Sequence, residues 1–435
     1  MRIVSLLLLN LIIISNLSAQ INKKEQAIIR SVNEQNRYYT DLLKSIININ
    51  SGTMNLEGVK EVGTMLKKEF EALGMDARWV EGKAFNRAGH LVATTKGKKG
   101  PKFLLIGHLD TVFEPDSPFQ GYTMVNDSIM KGPGVADMKG GDVIILMALK
   151  ALKDAGVLAQ MQVEVVMTGD EENSGSPIAL SKKDLIEGAK RADIALAFEN
   201  ADGDPKTIVV SRRGSSGWTL NVEGNAAHSS QIFTDRVGVG AIYEASRILN
   251  EFYLQLSKEE NLTFNPGFFL GGTAIDFQEG QSGGTAYGKS NVVAQQVIIN
   301  GDIRAVSGEQ LEKAQKIMLE IVSQNFPGTT AALTFKEGGY PPLSPSAGNQ
   351  KLLNYYSKVS KDLGFGPVSP VHPRNAGAAD VSFTSGHVDM AIDGMGLSGA
   401  DDHTINETGD LSKLSVQAKR AAVLMYRLMV GKGLE

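Results

Sequence analysis

The chain has 435 residues, 42% of them hydrophobic and 21% charged, which is the composition of a globular protein and excludes a disordered or fibrous one. Its net charge of −4, from 44 Lys and Arg against 48 Asp and Glu, argues against nucleic acid or an anionic membrane surface as a partner. Because the chain has no cysteine, disulfide scaffolds and thiolate zinc sites are excluded, and any metal must be held by His, Asp and Glu.

The N-terminus has the pattern of a secretory signal peptide. Met1 and Arg2 precede an apolar run over residues 3–14, and small or polar residues follow up to Gln20. The run is shorter than the roughly 20 residues that a membrane-spanning helix needs. The sequence therefore predicts a signal peptide at 1–19, export to the periplasm or medium, and no membrane attachment once it is removed. An uncleaved anchor or a buried helix is the alternative.

Helix and strand patterns alternate over the first half of the remaining chain. Strands are predicted at 102–107, 162–168 and 193–198, and helices at 21–50, 55–73, 142–155 and 178–191. Strand–helix–strand alternation is typical of an α/β fold with a mostly parallel sheet flanked by helices.

The pattern changes after about residue 211 to strand–helix–strand–strand–helix–strand. Strands are predicted at 216–222, 273–277, 292–304 and 329–335, and helices at 236–256 and 309–324. This order indicates a ferredoxin-like α+β domain inserted into the first one. Helices at 349–363 and 411–430 would complete the first domain. The predicted boundaries are 20–209 and 336–435 for the first domain and 210–335 for the insertion.

Acidic and histidine residues follow the predicted strands or lie in glycine-rich loops, where open α/β sheets bind ligands. His108 and Asp110 follow one strand on the same face, so His108 could bind a metal and Asp110 could orient its imidazole. A solvated turn is equally compatible with that pair. Asp137 lies in a glycine-rich loop before a helix and could bridge two metal ions, or be only a helix N-terminal acid.

Further acids and a histidine extend this set. Glu171 and Glu172 follow strand 162–168, Glu199 follows strand 193–198, and His403 lies in a polar loop before the last helix. Each alone could be an ordinary surface residue, but adjacent buried acids are costly unless a cation compensates them. Together with His108 and Asp137 this set supplies three ligands to each of two metals when the bridging Asp137 is counted for both, and it leaves open positions typical of catalytic zinc sites.

As an ordered series, these motifs resemble the dizinc exopeptidases and deacylases, a family that includes bacterial glutamate carboxypeptidase, acetylornithine deacetylase, succinyl-diaminopimelate desuccinylase and peptidase T. The resemblance is strongest to the glutamate carboxypeptidase-like branch and covers nearly all of the chain after the predicted signal peptide. The matching motifs are H-x-D at 108–110, G-x-G-x-x-D-M-K-G-G at 132–141, D-E-E at 170–172, Glu199, R-R-G at 212–214, A-H-S at 227–229, G-D-x-R at 301–304 and H-T-x-N-E at 403–407.

The resemblance implies two zinc ions per subunit and a role for each matching residue. The ligands would be His108, Asp137 and Glu199 for one ion, and Asp137, Glu172 and His403 for the other. Glu171 would be the general base and Asp110 would orient His108. The peptide bond after Asp137 would be cis. Residues 377–380 resemble a segment near the active site and receive no role beyond loop support.

In the insertion, the resemblance implies a lid that also forms a homodimer. His228 would reach into the partner subunit's active site and stabilise the oxyanion. Arg304 and Asn291 would bind the substrate's terminal carboxylate, for which arginine offers bidentate geometry. An ordinary strand-end histidine and a salt-bridged strand arginine are the alternatives.

The implied function is that of an exported dizinc metallopeptidase that cleaves the amide bond of small peptides or N-acyl amino acids. A carboxypeptidase of the glutamate carboxypeptidase type is favoured. An N-acyl-amino-acid deacylase stays open, because the two activities share their chemistry. The intact Glu171–Glu172 pair and both histidines argue against a catalytically silent binding protein.

Overall fold

The computed structural model describes residues 21–278 and 283–434, so the predicted signal peptide at 1–19 lies outside the described residues. The helices are α1 (Lys23–Ile47), α2 (Leu56–Ala72), α3 (Gly140–Asp154), α4 (Ile178–Ser181), α5 (Lys183–Arg191), α6 (Ala241–Leu256), α7 (Gly308–Val322), α8 (Ala347–Asp362) and α9 (Leu414–Val430). Across these two ranges, no helix combines the length and the apolar character that crossing a membrane requires.

The strands are β1 (Asp76–Glu81), β2 (Gly89–Thr94), β3 (Lys99–His108), β4 (Thr123–Met124), β5 (Ile129–Lys131), β6 (Met161–Thr168), β7 (Ile194–Ala197), β8 (Thr207–Ile208), β9 (Ser216–Gly224), β10 (Thr263–Gly272), β11 (Ala274–Gln278), β12 (Gly283–Tyr287), β13 (Gln296–Arg304), β14 (Thr329–Phe335), β15 (Ser369–Pro370), β16 (Met390–Ile392), β17 (Gly399–Ala400) and β18 (Thr408–Asp410).

The larger sheet has the strand order β1-β2-β6-β3-β7-β16, in which β6, β3, β7 and β16 run parallel and β2 pairs antiparallel with both β1 and β6. Helices cover both faces, which is why the central strands are continuous apolar runs. Phe103 and Leu105 pack into the cluster that contains α1, α2, α3 and α9, whereas Leu104 and Ile106 pack on the opposite face with Leu185 of α5. The predicted α/β class is confirmed.

A separate antiparallel sheet has the order β10-β13-β9-β14, with α6 and α7 packed on one face of it. The chain order β9-α6-β10-β13-α7-β14 is the ferredoxin-like order that the sequence predicted. The strand predicted at 273–277 is present as β11, but its predicted place in the ferredoxin-like unit was wrong, because β11 pairs with β12 in an additional hairpin and the second strand of the unit is β10. Pro266 and Gly267 interrupt β10 at a bulge, so its sequence lacks a regular strand pattern.

Two predicted helices also differ from the structure. The helix expected from residue 236 begins at Ala241, because Gly238 and Gly240 adopt φ values of 72° and 77° that end any helical run before it. The helix expected over 178–191 is divided into α4 and α5 at Lys182, whose φ of −91° and ψ of 10° are not helical. The side chain of Lys182 is fully buried, so its direction is decided by partners elsewhere in the fold.

The chain passes between the two sheets through two segments that pair with each other. Arg212 N donates to Leu343 O at 3.1 Å, and Ser215 N donates to Tyr340 O at 3.0 Å. The outgoing and returning segments therefore form a short antiparallel ladder at the base of the second sheet.

Candidate metal centre

Three of the predicted ligands follow neighbouring parallel strands. His108 is the last residue of β3, Glu199 lies just after β7, and Glu172 lies in the loop after β6. Because β3 pairs in parallel with both β6 and β7, the three chain segments leave the sheet at the same edge. This is the edge at which α/β sheets bind their ligands.

The other two ligands come from loops held beside that edge. Asp137 lies in the turn before α3, and its peptide bond to Met138 is cis, as the resemblance implied. His403 lies in the loop between β17 and β18 with a left-handed φ of 59°. The pairing of β18 with β5 brings this loop beside the segment that leads to Asp137.

Asp137 joins two clusters of ligand atoms. Its Oδ1 is 3.1 Å from His108 Nε2, and its Oδ2 is 3.0 Å from His403 Nε2. His108 Nε2 is also 3.4 Å from Glu199 Oε1, and His403 Nε2 is 3.2 Å from Glu172 Oε2. Within each of the two sets, the ligand atoms all lie within 4.8 Å of one another. The structure thus brings all five predicted ligands together in the two predicted groups.

The donors of this cluster fit divalent metal ions. Glu172 Oε1 is buried and has no hydrogen-bond partner among the residues described. In the chain by itself, burial and the neighbouring Asp137 carboxylate raise the pKa of Glu199 to about 8 and the pKa of Glu172 to about 7. A bound dication would let these buried carboxylates ionise, and imidazole nitrogen with carboxylate oxygen is a donor set that zinc accepts.

Glu171 immediately precedes the ligand Glu172 in the loop after β6. Its side chain is partly buried. Burial, together with the carboxylates of Glu199, Asp380 and Glu172, raises its pKa well above the usual range. Such a carboxyl group has the environment that general acid–base residues commonly have.

Asp110 contacts His108 mainly through its backbone and the Glu171–Glu172 segment through its side chain. His108 Nδ1 is 3.0 Å from the carbonyl oxygen of Asp110 and 3.5 Å from its carboxylate. The carboxylate accepts hydrogen bonds from Glu171 N at 3.1 Å, Glu172 N at 3.2 Å and Thr53 Oγ1 at 2.6 Å. The fully buried Asp110 therefore fixes the backbone of the predicted base as well as the imidazole.

Glu407 is a residue of this centre to which the sequence analysis gave no role. Its carboxylate is fully buried and accepts hydrogen bonds from the backbone N–H groups of Gly134 at 2.9 Å, Ala136 at 2.9 Å and Asp137 at 3.1 Å. It therefore ties the loop of His403 to the loop of Asp137. Its presence in the H-T-x-N-E motif was a signal, but its partners are backbone groups that become neighbours only when the chain folds.

The three candidate residues of the inserted segment lie outside the cluster. His228 is exposed, with Nδ1 2.9 Å from Ser230 Oγ, and the exposed Asn291 is next to it because Ser229 N donates to Asn291 O at 2.8 Å. Arg304 Nε donates to Asp302 Oδ2 at 2.9 Å. Within the described ranges, hydrogen bonds and ion pairs do not connect these three side chains to the five ligands.

Comparison with known proteins identifies the family. The profile of "Peptidase family M20/M25/M40" matches residues 104–427. The chain is 26% identical over 421 residues to carboxypeptidase G2 of a Pseudomonas species, covering 95% of each chain. It is 24% identical over 367 residues to succinyl-diaminopimelate desuccinylase of Alkalilimnicola ehrlichii, covering 81% of this chain and 90% of that one.

A solved structure of similar fold is that of aminopeptidase PepT from Bacillus cereus. It superimposes with a TM-score of 0.69 at 19% identity and covers 91% of this chain and 99% of that chain. The profile match spans most of the chain and contains all five candidate ligands and Glu171. The family resemblance carried by the motifs is thereby confirmed. The chain belongs to peptidase family M20/M25/M40 and is a metallohydrolase that acts on peptides or N-acyl amino acids.

Proposed function

We propose that this chain is an exported dizinc carboxypeptidase that releases the C-terminal amino acid of small peptides. The observation that carries the proposal is the pair of ligand sets, each with one histidine and one glutamate, that share the two oxygens of Asp137. An open catalytic zinc site needs such a set of three protein ligands. The carboxypeptidase assignment is supported by the similarity to carboxypeptidase G2 over 95% of the chain.

In this mechanism, two zinc ions held by these residues would supply the positive charge that polarises the amide carbonyl and makes water more acidic. Glu171 would take the proton of the attacking water and pass it to the leaving amine, which requires a carboxylate held in one place. Asp110 provides that constraint through the backbone N–H of Glu171. Glu407 holds the segment of Asp137 in the same way.

The lid residues would act across a homodimer. His228 is exposed, and its imidazole contacts Ser230 and none of the five ligands among the described residues, so it would stabilise the oxyanion in the partner subunit's site. Exposed apolar side chains on α6 support an interface on this part of the molecule, namely Ile242, Tyr243, Tyr253 and Leu254. Arg304 and Asn291 would bind the substrate carboxylate, and Arg304 would exchange its bond to Asp302 for that contact.

A substrate screen tests the reaction. We expect liquid chromatography to detect hydrolysis of several members of a dipeptide and tripeptide library, with the C-terminal amino acid and the N-terminal dipeptide as the products of a tripeptide, and a chelator to abolish this hydrolysis. An N-acyl amino acid library is the second arm, because the desuccinylase relative makes a deacylase the second candidate. Cleavage of N-acyl amino acids but not of dipeptides would replace the carboxypeptidase by the deacylase. Metal binding without hydrolysis in either arm would contradict both.

We also propose export, on the basis of the apolar segment at residues 3–14. Expression of the full chain in a bacterium with a periplasm should yield a mature protein that begins at Gln20. Mass spectrometry of the periplasmic and cytoplasmic fractions measures this directly. A protein that keeps Met1 and stays in the cytoplasm would contradict the proposal.

A further inference from the structure

A buried polar network lies behind the segment that carries Glu171. Lys182 Nζ donates to Asp170 Oδ1 at 3.0 Å and to Asp170 O at 3.1 Å, and it lies 2.9 Å from Asp380 Oδ1. Lys182 and Asp170 are fully buried and Asp380 is nearly so. Because an ammonium group has three hydrogens to donate, these contacts use its whole capacity. The residue immediately before Glu171 is therefore held in one position.

Tyr340 connects this network to Glu171 itself. Its hydroxyl oxygen lies 3.0 Å from the backbone oxygen of Glu171, 2.9 Å from Ser174 Oγ and 3.3 Å from Asp380 Oδ1. A phenol has one hydrogen to donate, and a carbonyl oxygen can only accept. The shorter of its two acceptor contacts is the one to Glu171. We therefore assign the phenol hydrogen to the Glu171 carbonyl, and the Ser174 hydroxyl can then donate to the phenol oxygen.

The peptide groups of Glu171 are thus held on both sides, by the fully buried Asp110 and by the partly buried Tyr340. Asp110 Oδ1 accepts from Glu171 N at 3.1 Å, and Tyr340 donates to Glu171 O at 3.0 Å. The next residue is held too, since Glu172 N donates to Asp110 Oδ2 at 3.2 Å. Because the backbone determines which rotamers a side chain can adopt, these bonds restrict where the Glu171 carboxylate points.

The ring of Tyr340 is itself fixed in place. It packs edge-to-face on Phe383, with 5.0 Å between the ring centroids, and Lys182 Nζ lies 5.5 Å from its centroid. Its backbone oxygen accepts from Ser215 N at the point where the chain returns from the second sheet. The position of the hydroxyl is therefore set by the junction between the two parts of the molecule.

We propose that Tyr340 is a positioning residue for the general base, whose hydroxyl fixes the Glu171 peptide and thereby the direction of its carboxylate. Lys182 and Asp380 hold Tyr340 and Asp170 in turn. The segment 377–380, which contains Asp380, would therefore help to position the base. The inference rests on the proposed function, in which Glu171 moves the proton. Since the contact of Tyr340 with Glu171 is made to the backbone of the base, loss of the hydroxyl should change kcat and leave KM and metal content unchanged.

The test is Tyr340→Phe, which keeps the ring and removes only the hydroxyl. We expect kcat to fall about tenfold, which corresponds to the free energy of about one buried hydrogen bond, with KM and bound metal within about twofold of wild type. The matched control is Tyr356→Phe. Tyr356 is a fully buried tyrosine of α8 whose hydroxyl lies 3.1 Å from Gln417 Oε1. The Tyr356→Phe variant should lose thermal stability, as Tyr340→Phe does, but its kcat should equal that of the wild type.

An unchanged kcat in folded Tyr340→Phe would overturn the inference, and so would a raised KM with unchanged kcat, because either result separates the hydroxyl from the base. If Tyr340→Phe does not fold, Ser174→Ala replaces it, since this removes the donor that orients the tyrosine hydroxyl. We expect kcat of Ser174→Ala to fall about threefold, and no change would also overturn the inference.

Different results would contradict the role of Tyr340 and the proposed function. If the wild-type chain hydrolyses substrate, Glu171→Ala does not, and Tyr340→Phe equals wild type, only the inference is overturned. If the wild-type chain with bound metal hydrolyses no peptide and no N-acyl amino acid, the proposed function is contradicted and the inference with it.

Discussion

Replacement of Glu171 by alanine should lower kcat by roughly 10³-fold, because a positioned general acid–base group commonly contributes 10²–10⁴-fold. Bound metal should be retained, since Glu171 belongs to neither ligand set. The backbone bonds from Asp110 and Tyr340 involve main-chain atoms of residue 171 and survive the substitution. Steady-state kinetics with a measurement of metal content on the same sample separates loss of the base from loss of the metal.

The matched control for this substitution is Glu187→Ala. Glu187 is a half-exposed residue of α5 that pairs with Lys190, and its removal should leave turnover unchanged. Substantial turnover in Glu171→Ala that carries its full metal complement would show that another group moves the proton. Loss of metal from Glu171→Ala would assign the residue to the ligands instead.

Mixing two inactive variants should restore activity if the lid histidine acts across the dimer. His228→Ala alone should lower kcat by roughly 10²–10³-fold, the usual effect of losing an oxyanion donor. A mixture with Glu171→Ala contains dimers in which one site has both an intact Glu171 and the partner's His228. In an equal mixture about half of the dimers are mixed and one of two sites in each is complete, so about a quarter of wild-type activity should return.

Each variant mixed with itself is the control and should stay inactive. Native mass spectrometry of a mass-labelled subunit measures whether mixed dimers have formed. If mixed dimers form but activity does not recover, His228 either acts within its own chain or has no role in catalysis. A chain that stays monomeric while hydrolysing substrate would contradict the dimer itself.

The metal ligands could be predicted as a set, because local patterns mark several of them as candidates and the ordered motifs assign the rest. His108 and Glu199 follow buried apolar strands, and Asp137 follows glycines that permit a tight turn. Parallel pairing then determines that strand ends meet, so their proximity follows from local patterns. The second strand of the ferredoxin-like unit could not be predicted in this way, since Pro266 and Gly267 obscure the pattern and only pairing with β13 defines the strand.

By itself, the sequence determined the α/β class, the ferredoxin-like order of the second unit and the set of candidate ligands, because periodicity and short motifs depend on residues close together in the chain. Only the tertiary structure decided what holds those residues in place. Glu407 binds backbone groups about 270 positions away, and Tyr340 binds one 169 positions away. Their hydrogen bonds are made to main-chain atoms, which every residue possesses. The sequence therefore does not show which residues are their partners.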